Sequence, residues 1–234
     1  MKDSLGFLTS PAGEALLARL ASEDLRESNH LRLLTQMRRE YPPSDCAAAL
    51  DLAILRQKAV SKFGPDAARM YFTAGALEQA SDPAARAYRA NRIQMNRQGA
   101  KDAKLRVIDA CCSIGADALA MAAVGLEVVG LDLDPLRIAM AQLNAAAVGV
   151  NVTFAEADVR LNLPPAEVVF FDPARRASSG KRLHHIEDYQ PPLSLIHEWE
   201  HTLVAVKLAP GVDLDQLADY SGEVEFISVE GDLK

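Results

Sequence analysis

The sequence predicts an α/β protein in which an α-helical N-terminal domain precedes a parallel β-sheet. Residues 10–97 show apolar positions at helical spacing and contain no convincing strand. From Leu105 onward, short apolar runs alternate with helical stretches, which is typical of right-handed β-α-β units. We therefore predict a helical domain at residues 1–98 and a sheet domain at residues 99–234, joined by the polar segment 97–102.

The helical region is divided by turn signals. Ser10-Pro11 fits a capped helix start before EALLARLAS, and Gly64-Pro65 ends the helical run DCAAALDLAILRQKAVSKF. The next unit, PDAARMYFTAGALEQAS, is also predicted to be helical. It stops at Ser81-Asp82-Pro83, which resembles the cap of a further helix, PAARAYRANRIQ.

Six strands are predicted in the sheet domain: LRVIDA, EVVGLD, NVTFAEAD, EVVFFD, TLVAVKL and VEFISVE. Helices ADALAMAAVG and PLRIAMAQLNAAAVG connect the first three. Parallel sheets of this kind bind ligands beyond the carboxyl ends of their strands, near the switch point of strand order. The polar residues that follow these strands are therefore the candidate functional residues.

Bulk composition narrows the function classes. The 234 residues carry a net charge of −7, which disfavours nonspecific adhesion to nucleic acid but is compatible with a local basic groove. Three cysteines without zinc-site spacing indicate a reduced, cytoplasmic setting and no metal site. No run is apolar for long enough to span a bilayer, and the first residues do not resemble a signal peptide.

The first candidate site follows the strand that ends at Asp109. Cys111, Ser113 and Gly115 form a turn of small residues before a helix, which allows close backbone approach to a ligand. Cys111 and Ser113 fill positions where a dinucleotide-binding turn would carry glycines, so a pyrophosphate-binding role is disfavoured. The Asp109 carboxylate would instead suit a cationic ligand group. A tight turn without a ligand is the alternative.

Two further acids follow the next strands. Asp132 lies 23 residues after Asp109, close to the spacing of about 20 residues expected for a ribose-binding acid. We assign Asp132, with Leu133 beside it, to the cofactor and Asp134 to the N-cap of the next helix. Asp158 and Val159 are predicted to meet the adenine amine and a ring nitrogen, although a surface-loop Asp is equally common. Three acids at successive strand ends indicate an adenosyl cofactor.

The reaction site is predicted at Asp172 and Pro173. Two aromatic residues place the fourth strand in the core, and Pro173 stiffens the turn that projects Asp172 into the cleft. Asp172 would hold an amino nucleophile in line with a methyl group, a reaction that depends on positioning. Alternatively, Asp172 caps a helix or pairs with Arg175.

Basic side chains surround this site. Lys207, at the end of the fifth strand, either binds substrate or extends from the sheet edge into solvent. The segment RRASSGKRLHHIEDY is either a phosphate-binding footprint or a solvated loop. Its candidate substrate-binding residues are Arg175, Arg176, Lys181 and Arg182. His184 and His185 lack a metal-binding spacing.

The motifs VIDACCSIGADALAMA, VVGLDLDPLRIAMAQLNA and VVFFDPARR resemble class I methyltransferases of bacteria that carry a THUMP-like C-terminal domain. They are more distantly similar to the trimethylguanosine synthase group. The resemblance implies a Rossmann-like sheet, S-adenosylmethionine as cofactor, and contacts from Asp109, Gly115, Asp132 and Asp158. It also implies a last strand and a THUMP-like domain beyond residue 234, so we expect the chain to be truncated.

The substrate motif departs from that family. Asp172-Pro173-Ala174-Arg175 lacks the second proline and the stacking aromatic of the amine-methylating loop. The resemblance also implies that residues before the first strand, with Glu78 and Ser81 as the candidates, close over the cofactor. The leading hypothesis is methylation of an amino nitrogen on an RNA base. The alternatives are a small-molecule or protein methyltransferase, and a catalytically silent cofactor-binding scaffold for RNA or a partner.

Overall fold

The chain forms two compact units, Met1–Ala80 and Ser81–Lys234. A computed structural model describes residues 2–95, 105–161, 163–175, 183–199 and 203–233. The division places residues 81–95 with the sheet, whereas the sequence analysis placed the boundary between residues 98 and 99. The difference arises because the helix of residues 83–95 packs on the first helix of the sheet domain. The predicted linker, residues 97–102, lies outside the described residues.

The first unit is built of α-helices, as predicted. These are α1 (Lys2–Leu8), α2 (Pro11–Leu20), α3 (Glu27–Met37), α4 (Pro43–Phe63) and α5 (Ala74–Gln79), with a 3-10 turn at Gly64–Ala68. Helix α2 begins where predicted, because the Ser10 hydroxyl accepts a hydrogen bond from the Gly13 N–H at 3.1 Å. Helix α4 ends at Gly64, whose φ of 58° is readily adopted by glycine. No α-helix of the described ranges is long and apolar enough to cross a bilayer.

The segment 65–81, predicted as one helical unit, is not a continuous helix. Met70, Tyr71 and Phe72 are buried one after another. Residues 70–73, between the 3-10 turn and α5, belong to no helix or strand. Helix α5 starts only after Thr73, whose hydroxyl oxygen accepts the Ala76 N–H at 3.1 Å.

The second unit contains a five-stranded parallel sheet in the order β3-β2-β1-β4-β5. The strands are β1 (Arg106–Ala110), β2 (Glu127–Asp132), β3 (Thr153–Glu156), β4 (Val168–Phe171) and β5 (Leu203–Val206). The same unit holds α6 (Pro83–Met95), α7 (Ala116–Ala123) and α8 (Pro135–Val148). This order confirms the predicted α/β class. It reverses between β1 and β4, which places the ligand-binding switch point at their carboxyl ends.

The two faces of the sheet are covered by different kinds of structure. On one face, Phe154 of β3 packs against Gly130 of β2 and Gly115 before α7, and Ala141 of α8 also lies beside Gly115. On the other face, the described part of the β4–β5 connection contains 3-10 turns instead of an α-helix. The core on that face comprises Ile108, Ala110, Leu131, Val159, Val169, Phe171, Ile186, Tyr189, Leu193 and Leu195.

The predicted sixth strand, VEFISVE, does not join the sheet in the described structure. Only Ser228–Val229 forms a strand (β6), paired antiparallel with Asp232–Leu233 (β7). The alternating apolar residues find no buried face, since Val224 is 52% and Phe226 59% exposed. Glu225 between them, and Glu223 before them, form ion pairs with Arg92 of α6 at 2.8 Å and 2.7 Å.

Gly130→Ala is expected to destabilise the sheet domain. A Cβ at this position would lie 2.5 Å and 2.6 Å from carbon atoms of the Phe154 ring and 3.1 Å from the Cys112 sulfur. Relieving such overpacking costs about 1–3 kcal/mol of unfolding free energy, measurable by urea denaturation. Gly211→Ala is the matched control, because a Cβ there meets no atom within 4 Å. Equal stability of the two variants would contradict the packing described.

Candidate functional site

The loop between β1 and α7 has an unusual backbone. Cys111, Ser113 and Gly115 all have positive φ, at 67°, 52° and 84°. Residues with side chains rarely adopt this conformation, and such strain is concentrated at functional sites. The sequence analysis treated Cys111 and Ser113 as missing glycines. The structure shows that the backbone nevertheless adopts the left-handed conformation that glycine would favour.

Asp109, the last residue but one of β1, carries a buried carboxyl group. The residue is 1% exposed, and its Oδ2 has no hydrogen-bond partner among the described residues. Burial, and then the nearby carboxylates of Asp117 and Asp172, raise the pKa of Asp109 well above its usual value. The buried hydroxyl of Ser113 likewise has no partner in the described structure. Two buried polar atoms near the end of β1 therefore lack a hydrogen-bond partner in the described structure.

Asp132, at the end of β2, anchors the same loop. Its carboxylate accepts hydrogen bonds from the backbone N–H groups of Ser113 and Asp134, both at 2.9 Å. Asp134 caps α8 as predicted, because its side chain accepts the Leu136 N–H at 2.9 Å. Leu133 between them is 55% exposed. Each Asp132 oxygen keeps a further lone pair, so the carboxylate can still accept a hydroxyl group.

The third predicted acid has a partner within its own loop. Asp158 holds Arg160 through Nη2 at 2.6 Å and Nε at 2.9 Å. This hydrogen-bonded guanidinium lowers the pKa of Asp158. Val159 is 3% exposed, and its carbonyl accepts the indole N–H of Trp199 at 3.3 Å. A ligand amine at Asp158 would therefore share the carboxylate with Arg160.

The predicted catalytic loop brings Asp172 next to Lys207. The Lys207 Nζ lies 2.5 Å from Asp172 Oδ2, with side chains 13% and 24% exposed. The backbone fixes both ends of the pair, since the Lys207 N–H donates to the Phe171 carbonyl at 2.9 Å. Asp172 thus pairs with the lysine that follows the neighbouring strand, and among the described residues it neither caps a helix nor pairs with Arg175. Pro173, which follows Asp172, is buried.

The chain just after Asp172 is held by a short β-bridge. Ala174 and Gln190 exchange two backbone hydrogen bonds, at 2.9 Å and 3.0 Å. The Arg175 carbonyl accepts the Leu183 N–H at 2.9 Å. These hydrogen bonds join residues 174–175 to residues 183 and 190, on either side of the segment that contains the predicted substrate-binding cations. Arg176, Lys181 and Arg182 themselves lie outside the described residues.

One group of residues at this site was not found by sequence reasoning. Asp117, in the first turn of α7, binds Arg89 of α6 at 2.5 Å, with side chains 11% and 17% exposed. Ser81 donates its hydroxyl to the same carboxylate at 3.4 Å, and Arg86 donates to the Ser81 carbonyl at 2.5 Å. The sequence did contain a signal for these contacts. Arg86 and Arg89 lie three positions apart and therefore on the same side of α6. These contacts link Ser81 to α7.

The thiol of Cys111 lies among the same acids. Burial, followed by the charges of Asp132, Asp172 and Asp109, raises the pKa of Cys111. A neutral thiol is a weak nucleophile, so this cysteine is not suited to covalent catalysis. Within the described ranges, no group of three or more His, Cys, Asp or Glu side chains is placed to hold a metal ion.

The arrangement fits a cofactor that carries both a cation and hydroxyl groups. Asp109 and Ser113 present unpartnered polar atoms at the end of β1. Asp132 supplies acceptors for hydroxyl groups, and Leu133 supplies exposed apolar surface beside them. Asp172 and Lys207 follow the next two strands, β4 and β5, at the same edge of the sheet.

Known proteins match both halves of the chain. Residues 107–201 match a family model described as a methyltransferase domain, and residues 2–59 match a domain of unknown function (DUF8688). An uncharacterized S-adenosylmethionine-dependent methyltransferase of Mycobacterium tuberculosis H37Rv is 36% identical over 193 residues, covering 79% of this chain and 51% of that protein. An uncharacterized RNA methyltransferase of Streptococcus pyogenes serotype M3 is 34% identical over 101 residues, covering 40% of this chain and 22% of that protein.

A solved structure supports the fold over most of the chain. A provisionally named methyltransferase of Porphyromonas gingivalis W83 has a TM-score of 0.66 at 20% identity, covering 88% of this chain and 51% of that one. The chain spans 51% of the length of the mycobacterial relative, about half. Together these matches support the predicted class I methyltransferase domain and confirm its Rossmann-like fold.

Asp109→Asn is expected to change how stability depends on pH. The unfolded chain ionises Asp109 near its ordinary pKa of about 3.9, whereas the folded chain retains the proton to higher pH. The folded state therefore binds more protons, and stability falls as pH rises from that value toward the raised pKa. Asn cannot ionise, so the variant should become increasingly more stable than the parent across this window, measured by urea denaturation at several pH values.

Asp158→Asn is the control with the opposite sign. Arg160 lowers the pKa of Asp158 in the folded protein, so the parent gains stability once this carboxyl ionises. The Asp158→Asn variant should lose that gain as pH rises. If the stability difference between Asp109→Asn and the parent did not vary with pH, the pKa of Asp109 would not be raised in the folded protein.

Proposed function

We propose that this chain transfers a methyl group from S-adenosylmethionine to an amino nitrogen, with an RNA base as the acceptor. The observation that carries the proposal is the buried carboxyl of Asp109, whose Oδ2 has no hydrogen-bond partner in the described structure, beside a strained loop in a domain that matches the methyltransferase model. S-adenosylmethionine is the cofactor of the relatives that match most of the chain, and the donor set at β1 and β2 suits it.

The cofactor-binding residues are those at the ends of β1, β2 and β3. Asp132 would accept the ribose hydroxyls, and Leu133 would pack on the adenine. Asp158 and the Val159 N–H would meet the adenine edge. Asp109 would take the cationic amino group, and Cys111, Ser113 and Gly115 would let the backbone approach closely.

Asp172 positions the acceptor. When bound, the cofactor supplies an electrophilic methyl group on a sulfonium sulfur. The Asp172 carboxylate accepts a hydrogen bond from the acceptor N–H, which aims the nitrogen lone pair at the methyl carbon. As the new N–C bond forms and the C–S bond breaks, Asp172 is placed to receive the proton that the nitrogen releases. Pro173 limits the motion of this carboxylate, and Lys207 holds it at 2.5 Å before the acceptor arrives.

RNA as the acceptor is supported by charge and by kinship. Arg175 and Lys207, together with Arg176, Lys181 and Arg182, would bind phosphates around Asp172. The streptococcal relative is named as an RNA methyltransferase. A small-molecule or protein acceptor is the second candidate. The charge of the sheet unit favours this second candidate, because an acidic surface disfavours RNA. Residues 1–80 carry ten basic and ten acidic side chains, so the net charge of −7 lies in residues 81–234.

The proposal also includes a narrower family for this chain and a cytoplasmic location. The motifs around Asp109, Asp132 and Asp172 favour the bacterial methyltransferases that carry a THUMP-like domain. The three cysteines are unpaired in the structure, which is compatible with a cytoplasmic setting.

Asp172→Ala is expected to abolish methyl transfer while leaving cofactor affinity within about twofold. The reason is that Asp172 contacts the acceptor, whereas the adenosyl group is held by β1 and β2. The measurement is labelling of total cellular RNA, protein and metabolite fractions with radiolabelled cofactor, beside calorimetric titration with S-adenosylhomocysteine. Lys207→Met is the companion variant and should lower activity less. Full labelling by Asp172→Ala would disprove its catalytic role.

Asp132→Ala should weaken cofactor binding by about 1–3 kcal/mol, because it removes an acceptor for charged hydrogen bonds. It also frees the Ser113 N–H, so the loop should lose order as well. Asp134→Ala is the matched control. It removes the N-cap of α8 and should cost about 1 kcal/mol of stability with unchanged cofactor affinity. Equal loss of affinity in both variants would assign the effect to folding.

A further inference from the structure

A cleft of about 280 Å³ lies outside the residues assigned to the cofactor and the acceptor. Its lining residues are Arg160, Leu161, Glu198 and Trp199. Arg160 and Leu161 follow Asp158 beyond β3. Glu198 and Trp199 close the 3-10 turn Leu193–Glu198 in the β4–β5 connection. The cleft therefore lies between the loops that follow two of the strands at the predicted site.

Trp199 is held in a fixed orientation between these loops. Its indole N–H donates to the Val159 carbonyl at 3.3 Å. Its ring meets the Phe171 ring edge to face, with centroids 5.0 Å apart and planes at 76°. Phe171 directly precedes Asp172, so one aromatic side chain touches both the adenine-side loop and the strand that carries the catalytic acid. A ring fixed in this way binds a planar ligand at little cost in conformational entropy.

The other lining residues suit a planar ligand with N–H groups. The Arg160 guanidinium is fixed by Asp158 at 2.6 Å and 2.9 Å, which neutralises its charge and sets its plane. Guanidinium planes and indole rings both stack on nucleobases. Glu198 is exposed and offers a carboxylate acceptor, while Leu161, 71% exposed, offers apolar surface. The volume is sufficient for a single nucleoside, near the lower limit of small-ligand sites.

We propose that this cleft binds a nucleobase that flanks the acceptor base, stacked between Trp199 and Arg160. The inference rests on the proposed function, since it assumes an RNA acceptor. Trp199 would provide an aromatic stacking surface close to the Asp172-Pro173-Ala174-Arg175 loop, which has none of its own. Guanine is the favoured base. It presents two neighbouring N–H groups to the Glu198 carboxylate, whereas adenine presents one donor beside an acceptor nitrogen that the carboxylate would repel.

The test uses the fact that Trp199 is the only tryptophan of the chain. The protein is first saturated with S-adenosylhomocysteine, and its tryptophan fluorescence is then titrated with guanosine or adenosine 5′-monophosphate. We expect saturable quenching by both nucleotides. Because of the added hydrogen bonds, the guanine nucleotide should bind about fivefold or more tightly than the adenine nucleotide.

Two variants assign the effect to the cleft. Glu198→Gln should remove the preference for guanine, and its exposed position leaves folding intact. Trp199→Ala should raise the Kd for guanosine monophosphate roughly tenfold or more, measured by calorimetry. Trp199→Phe keeps an aromatic ring and should retain most of the affinity, which separates stacking from loss of fold.

The outcomes separate this inference from the proposed function. Quenching by S-adenosylhomocysteine alone, with no further effect of nucleotides, would overturn the inference by placing the cofactor's adenine in the cleft. Methylation of RNA without nucleotide quenching would also overturn it, while leaving the proposed function intact. Nucleotide quenching in a protein that neither binds the cofactor nor methylates RNA would overturn the proposed function and leave the cleft a nucleobase site.

Discussion

The candidate site depends on the hydrogen bond between the Asp132 carboxylate and the Ser113 N–H, at 2.9 Å. It ties the end of β2 to the loop after β1, in which three residues have positive φ. A loop in this conformation needs external contacts to keep it folded, because the left-handed region is unfavourable for Cys111 and Ser113. Since Asp132 is also the predicted ribose acceptor, one carboxylate both shapes the loop and would bind the ligand.

A second constraint is the balance of charge at the carboxyl ends of the central strands. Asp117 and Asp172 lie close enough to Asp109 to raise its pKa, and each is itself paired with a cation, Arg89 or Lys207. Asp109 forms no such ion pair within the described residues, and burial together with the neighbouring carboxylates raises its pKa. An unsatisfied buried carboxyl lowers stability, and natural proteins retain such groups mainly where they serve function. The missing hydrogen-bond partner of Asp109 Oδ2 therefore favours a ligand-binding role for the loop after β1 over a purely structural one.

The helix α6 shows how the site extends beyond the strand-end motifs. Arg89 binds Asp117 at the start of α7, and its guanidinium lies 5.6 Å from the centre of the Phe170 ring. Helix α6 is thereby part of the sheet unit, although its sequence pattern resembles that of the helices before it. The apolar pattern of a helix shows that it is buried on one side but does not identify what it packs against.

By itself, the sequence predicted six strands, of which five form the parallel sheet, together with the acids at their ends and the caps at Ser10 and Asp134. Each depends on local periodicity, local capping chemistry or the alternation of elements. Only the tertiary structure decided which side chains meet. It paired Asp172 with Lys207 and Asp158 with Arg160, and separated VEFISVE from the sheet. Those outcomes depend on distances between residues far apart in the chain and on which apolar faces find a partner, and no local pattern encodes either.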